Sequence, residues 1–333
     1  MSSLTKNMNL KTKMVLIFFI IILMIVAVYS VTIYFVSKNM ISKSAITKMN
    51  LINQGVYDII DSSIGASIVG YLRGISEKNR EVVALYYDKY KKGLLSEKDA
   101  KQQVREILLS QKIGKTGYIF VWNIKNAPQS VILDVHPAIE GKDVASVSFV
   151  QDGFKLKTGY MEYAWKNPNE EKERDKAMYL SYFPEWDWIV AVSSYKEEFL
   201  DLVDMNSLKK KINSIKIGKT DYVTVVDYQA NVLLHPYLEG KNIYELKDNT
   251  GKFFMKEMCE KKSGIINYNW KKNKDDTGFY KKFVVFKDFP LLNFIIITGA
   301  YEDELYEDQK SFNLLLFFTS IIIYLIVLPL LFF

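Results

Sequence analysis

The chain has 333 residues, room for about two domains of ~150 residues each, and its 44 basic and 38 acidic side chains leave a net charge of only +6. Lys6, Lys11 and Lys13 stand at the N-terminus with no acid beside them. What remains is a mixed, nearly neutral surface, which excludes a nucleic-acid footprint. The single cysteine, Cys259, rules out an intramolecular disulfide, so the fold must rest on its core.

Met14 to Val36 is an uncharged run of 23 residues, and Phe312 to Phe333 is another of 22. At 1.5 Å rise per residue either one crosses a hydrocarbon core of about 30 Å, so both are expected as transmembrane helices. The leading lysines place the N-terminus in the cytoplasm by the positive-inside rule, and residues 37–311 outside. The first run exceeds the ~7–15 apolar residues of a secretory h-region, which predicts an uncleaved anchor in a plasma or inner membrane.

Beyond the first run, apolar residues recur at steps of three and four from Ile41 through Met49, Val56 and Ile68 to Ile75. That period predicts a long stalk helix, with Gly65, Gly70 and Gly74 weakening its far end. Val82 to Tyr90 and Glu97 to Leu109 read as shorter helices, the second capped by Ser96. The period then changes to that of short strands: Tyr118 to Trp122, Val131 to Val135, Tyr160 to Trp165, Met178 to Phe183 and Trp188 to Ser193. Tyr195 to Lys216 returns to helical spacing as a connector. A second set follows at Tyr222 to Val226, Val232 to Leu234, Ile265 to Trp270, Phe283 to Phe286 and Phe294 to Thr298.

The second set repeats the first. Ile113-Gly-Lys-Thr-Gly-Tyr recurs as Ile217-Gly-Lys-Thr-Asp-Tyr, and the only two histidines, His136 and His235, each precede a proline. Gly159 aligns with Gly264, Tyr163 with Tyr268, Trp165 with Trp270, Lys176 with Lys282, and Tyr195 with Tyr301. Such self-similarity fixes the architectural unit. The Gly-Lys-Thr stretch is not a P-loop, since Leu109 and Asn213 occupy the positions where that motif needs its first glycine. Nucleophile-elbow and His-Glu-x-x-His motifs are absent from the sequence, so neither a catalytic residue nor a metal ligand is assigned.

Gly114 to Tyr118, His136-Pro137, Gly141-Lys142, Lys176 to Tyr179 and Phe183 to Trp188 together resemble the Cache family of extracytoplasmic sensor domains, in its tandem form. The resemblance covers about Ser37 to Tyr301. It implies an α+β fold of two PAS-like modules with antiparallel sheets, behind a long N-terminal stalk helix and between two flanking transmembrane helices. The expected division is residues 1–13 cytoplasmic, 14–36 membrane span, 37–112 stalk and helical cap, 113–195 first, membrane-distal module, 196–216 connector, 217–301 second, membrane-proximal module, and 312–333 membrane span. Such modules commonly feed chemoreceptor, histidine-kinase or cyclic-dinucleotide output domains, none of which appears in this sequence.

The resemblance also implies a small-molecule pocket, with no cofactor. The second module has Asp221, Val285, Leu292 and Phe294 where the first has Gly117, Tyr179, Trp186 and Trp188, so the first is the expected binder. Lys176 offers an ammonium for a ligand carboxylate. Tyr118 and Phe120 share one face of their strand, as do Tyr163 and Trp165 of theirs. Tyr179 and His136 complete the expected ligand-binding set. The expected ligand is a small organic carboxylate or amino acid, sensed by a membrane-anchored homodimer. Two other readings stand beside it: a structural or protein-binding ectodomain, favoured by a pocket filled with side chains, and an extracytoplasmic hydrolase, favoured by paired acids in one pocket.

Overall fold

A computed structural model describes residues 10–167, 170–215, 217, 220–307, 314, 317–319 and 321–322. The first helix, α1, runs from Leu10 to Lys91 without interruption. It therefore joins the first apolar run, the stalk and the Val82 to Tyr90 stretch that the sequence pattern had separated. Gly65, Gly70 and Gly74 do not break it. A Cβ at any of them would meet nothing within 4 Å, so none is required by close packing. The packed stripe, Ile60, Ile64, Ile68 and Leu72, is at most 1% exposed. Burying each such side chain contributes about 1.5–3 kcal/mol, more than the ~1 kcal/mol each glycine costs relative to alanine.

Met14 to Val36 forms one strongly apolar, unburied helical segment. Most of the second expected span, 312–333, lies outside the described residues. The coarse expectation of an α+β chain with a long N-terminal helix holds, with one apolar helix among the described residues.

Two compact units follow. One contains residues 58–208. Its sheet takes the order β2-β1-β5-β4-β3, all antiparallel, from β1 (Tyr118–Asn123), β2 (Ile132–Val135), β3 (Gly159–Trp165), β4 (Arg174–Phe183) and β5 (Trp188–Tyr195). One face packs on α1, where the Ser76 hydroxyl donates to Ser181 Oγ at 2.9 Å and contacts the Val190 carbonyl at 3.1 Å. The helix α2 (Glu97–Ser110) is capped by Ser96, whose Oγ accepts from the Asp99 amide. The other face carries a core of Trp122, Leu133, Met178, Leu180 and Ala191 beneath α3 (Ser148–Leu156).

The other unit combines residues 1–57 with 209–333. Its sheet repeats the order as β7-β6-β10-β9-β8, from β6 (Val223–Asp227), β7 (Val232–Leu234), β8 (Gly264–Trp270), β9 (Tyr280–Phe289) and β10 (Phe294–Tyr301). Ala45 and Met49 of α1 pack on Val285 and Ala300. On the far face α5 (Phe254–Lys261) covers Val226, Val284, Phe286 and Ile297.

The expected connector helix differs from the structure. β5 extends to Tyr195, 3-10 turns cover Lys196–Leu202, and α4 spans only Met205–Asn213. Asp204 restarts the helix by accepting from the Asn206 and Ser207 amides through Oδ1, as an N-cap residue does. The remaining short helix, α6, is Glu302–Leu305.

Candidate functional site

In the unit of residues 58–208, strand alternation aims Tyr118 and Phe120 of β1, Tyr163 and Trp165 of β3 and Lys176 of β4 at the face away from α1. Tyr118, Phe120, His136, Tyr163 and Trp165 line one cavity of about 30 Å³. Lys176 is wholly buried beside it, its ammonium 4.4 Å from the centre of the Tyr118 ring and 4.7 Å from that of Tyr195. Its Nζ donates to Asn167 Oδ1 at 3.1 Å. Among the described residues no carboxylate lies within ion-pair distance of it. Burial lowers its pKa to about 8, despite the opposing pull of Glu170 and Glu198.

Tyr179 is the exception among the expected site residues. It stands three positions from Lys176, so the two point to opposite faces of β4. Tyr179 shares its face with Ser181, which meets α1 through Ser76. This excludes it from the cavity wall, and Val285, its counterpart, packs on α1 in the same way.

His136 lines the cavity edge-on to Tyr118, with ring centres 4.9 Å apart. Its Nδ1 is committed to the turn, accepting from the amides of Ala138 and Ile139 at 3.0 and 3.1 Å. His235 does the same for Tyr237 and Leu238. Burial, then the Lys176 charge, lowers the His136 pKa to about 4, so the ring is neutral at physiological pH.

Three neighbours escaped the sequence reading. Phe149 of α3 stacks on Tyr163 with ring centres 4.2 Å apart and an interplanar angle of 29°. Trp122 sits beneath Gly153, where a Cβ would come within 2.5 Å of the indole. Tyr195 forms the second wall of the lysine cage, and its hydroxyl donates to Glu170. The repeat itself carried a signal for Phe149: its counterpart Phe254 stacks on Tyr268 in the same way, at 4.1 Å.

The duplicated Gly-Lys-Thr stretch also finds its reason. In the first copy the amides of Lys115 and Thr116, with the Thr116 and Ser194 hydroxyls, all donate to the Glu198 carboxylate. Burial pushes the Glu198 pKa up, but these donors outweigh it and the net shift is down. The turn holds an internal carboxylate where a P-loop would hold phosphate. In the second copy Thr220 donates to Glu304, the counterpart of Glu198.

The unit containing 217–301 builds a second lysine cage, with Lys282 4.0 Å from the Tyr222 ring centre and 4.8 Å from that of Tyr301. Here the charges differ. Asp221 replaces Gly117, and burial raises its pKa against the opposing pull of Lys282. Burial correspondingly lowers that of Lys282 against the pull of Asp221 and Glu304. Among the described residues, Asp221 Oδ1 and Glu304 Oε2 are buried without a hydrogen-bond partner. The adjoining cavity is only about 20 Å³.

A Cache-domain model matches residues 36–238, and a Cache 3/Cache 2 fusion-domain model matches residues 202–314. This chain belongs to the Cache family. Its two sheets are tandem Cache modules of the sensor-domain type. Among solved structures, a periplasmic sensor domain of a chemotaxis protein is 18% identical, with 39% of this chain and 96% of that one covered at a TM-score of 0.35. A Cache chemosensory domain described for carboxylic acid recognition is 16% identical, covering 40% and 97% at 0.36. The sensory domain of the Campylobacter jejuni chemoreceptor Tlp3, with isoleucine bound, is 10% identical, covering 80% and 97% at 0.32. No curated protein matches the chain significantly.

Proposed function

We propose that this Cache chain is a membrane-anchored extracytoplasmic sensor whose first module binds a small organic carboxylate or amino acid. One observation carries the reading: Lys176 is a fully buried ammonium, caged by the Tyr118 and Tyr195 rings, with no carboxylate in ion-pair range among the described residues. A buried charge is costly unless paired, so the first module holds an ammonium whose charge is not yet met. A ligand carboxylate would meet it. Tyr118, Phe120, Tyr163 and Trp165 would enclose the ligand's remainder, and His136 would hold the Pro137 turn against Tyr118.

The cavity of about 30 Å³ admits one water and no organic acid. Binding therefore requires Phe149 and α3 to move off Tyr163, and that movement would be the signal. Ligand shifts the equilibrium by its differential affinity for the opened state. In this reading residues 14–36 and 312–333 both cross the membrane, residues 113–195 form the membrane-distal module, 196–216 the connector and 217–301 the proximal one, and two stalk helices pair in a homodimer.

The same narrow cavity favours a second reading, in which the modules bind protein alone. A thermal-shift screen of residues 37–311 against organic acids and amino acids separates the two, because a ligand of the native state raises apparent stability by mass action. The sensor reading expects a carboxylate that raises the melting temperature and loses its effect in Lys176→Met. A screen in which no compound shifts the curve supports the protein-binding reading.

A further inference from the structure

A larger cavity lies in the unit of residues 1–57 and 209–333, where Lys281 and Phe283 of β9 face the opposite side of the sheet from Lys282. Its volume is about 220 Å³, room for several waters and somewhat below the ~300 Å³ of small drug sites. Its walls are amphipathic. Ala45, Phe283 and Leu305 form an apolar floor, while Lys38, Lys281, Ser42 and Tyr306 bring charge and hydroxyls to its rim. Lys281 pairs with Glu302 at 2.9 Å. The Lys38 ammonium lies 5.6 Å from the centre of the Tyr306 ring. Ser42 Oγ and the Tyr306 hydroxyl are hydrogen-bonded at 2.5 Å.

The position of these residues along the chain points to the occupant. Lys38 and Ser42 follow Val36, the end of the first apolar run, by two and six residues on one unbroken helix. At 1.5 Å per residue that is about 3 and 9 Å beyond the hydrocarbon edge, within and at the outer margin of a headgroup layer some 5–8 Å thick. On the other wall, Tyr306 precedes the second apolar run at Phe312 by six residues. Two lysines against one glutamate give the rim an excess positive charge, and the floor suits the first carbons of an acyl-glycerol.

We infer that this cavity is a site for the headgroup of an anionic phospholipid, its phosphate taken by Lys38 and Lys281 with the Ser42 and Tyr306 hydroxyls as further donors. Glu302 is the group the phosphate displaces from Lys281. The inference rests on the membrane-anchored reading.

The test is native mass spectrometry of the full chain released from mixed micelles of phosphatidylcholine and phosphatidylglycerol. One phosphatidylglycerol should be retained per chain in preference to phosphatidylcholine. Lys38→Ala and Lys281→Ala should each weaken retention about fivefold, the effect of one basic residue near an anionic surface. Lys38→Arg should restore most of it, with unchanged melting curves showing that the variants fold. Equal retention of the two lipids, or retention untouched in the double alanine variant, overturns the site. Competition by millimolar inorganic phosphate at the same lysines overturns the lipid assignment, showing a soluble-anion site. Failure of the anchoring premise is a separate result: the full chain would then stay soluble without detergent.

Discussion

Replacing Lys176 with methionine separates function from stability. The folded module lowers the pKa of this lysine from 10.5 to about 8, on the order of 3 kcal/mol at ~1.4 kcal/mol per unit. Because the unfolded chain keeps its proton up to 10.5, the unfolded state binds more protons between pH 8 and 10.5. Stability therefore rises with pH through that window, and below pH 8 the folded state bears the full cost. Methionine removes that cost. It also removes two cation–π contacts of ~0.5–2 kcal/mol each and leaves Asn167 Oδ1 without its donor, about 1 kcal/mol or more. The opposing effects leave an expected change at pH 7 between about +1 and about −2 kcal/mol, small for a fully buried position. A carboxylate ligand requires the ammonium form, so wild-type affinity should fall about tenfold per pH unit above 8. Thermal melts of residues 37–311 with and without ligand, from pH 6.5 to 9.5, measure both. If Lys176→Met loses 3 kcal/mol or more while its ligand response survives, the lysine is structural and the reasoning fails.

Gly117→Ala should destabilise the first module by about 1–3 kcal/mol, because the new Cβ would lie 2.5 Å from the Ile113 carbonyl oxygen and 2.6 Å from that of Ser193; a denaturant melt with an unchanged midpoint would contradict this. Gly70→Ala, on the open face of α1, should instead stabilise by about 1 kcal/mol, visible as a higher denaturation midpoint. His136 has a folded pKa of about 4 against 6.5 unfolded, so its contribution is intact above pH 6.5 and is lost as pH falls to 4. His136→Gln should flatten the acid limb of the melting profile over that interval; an unchanged slope would show that other groups set it.

The repeat made much of the fold legible, because a period-two pattern recurring at constant spacing leaves few ways to build two sheets. The ten strands fall where alternation placed them, with most ends shifted by one to four residues. α3 and α5 did not show, since each spans barely two turns, lacks a side-chain N-cap bond and sits in a segment resembling a strand connection. The strand faces grouped Tyr118 with Phe120 and Tyr163 with Trp165. Tyr179 entered the expected set through the family motif, although its odd spacing from Lys176 puts the two on opposite faces of β4. Phe149 was hidden because its role depends on α3. Asp221 was visible as a departure from Gly117, but its meaning came from the buried Lys282, whose charge opposes the rise in its pKa.

Isothermal titration of residues 37–311 with a carboxylate found by the screen tests the central claim most directly, using wild type, Lys176→Met and Lys282→Met in parallel. The prediction is one site per chain, abolished by Lys176→Met and kept by Lys282→Met. Binding that survives Lys176→Met, or that disappears only with Lys282→Met, would place the site elsewhere and contradict it.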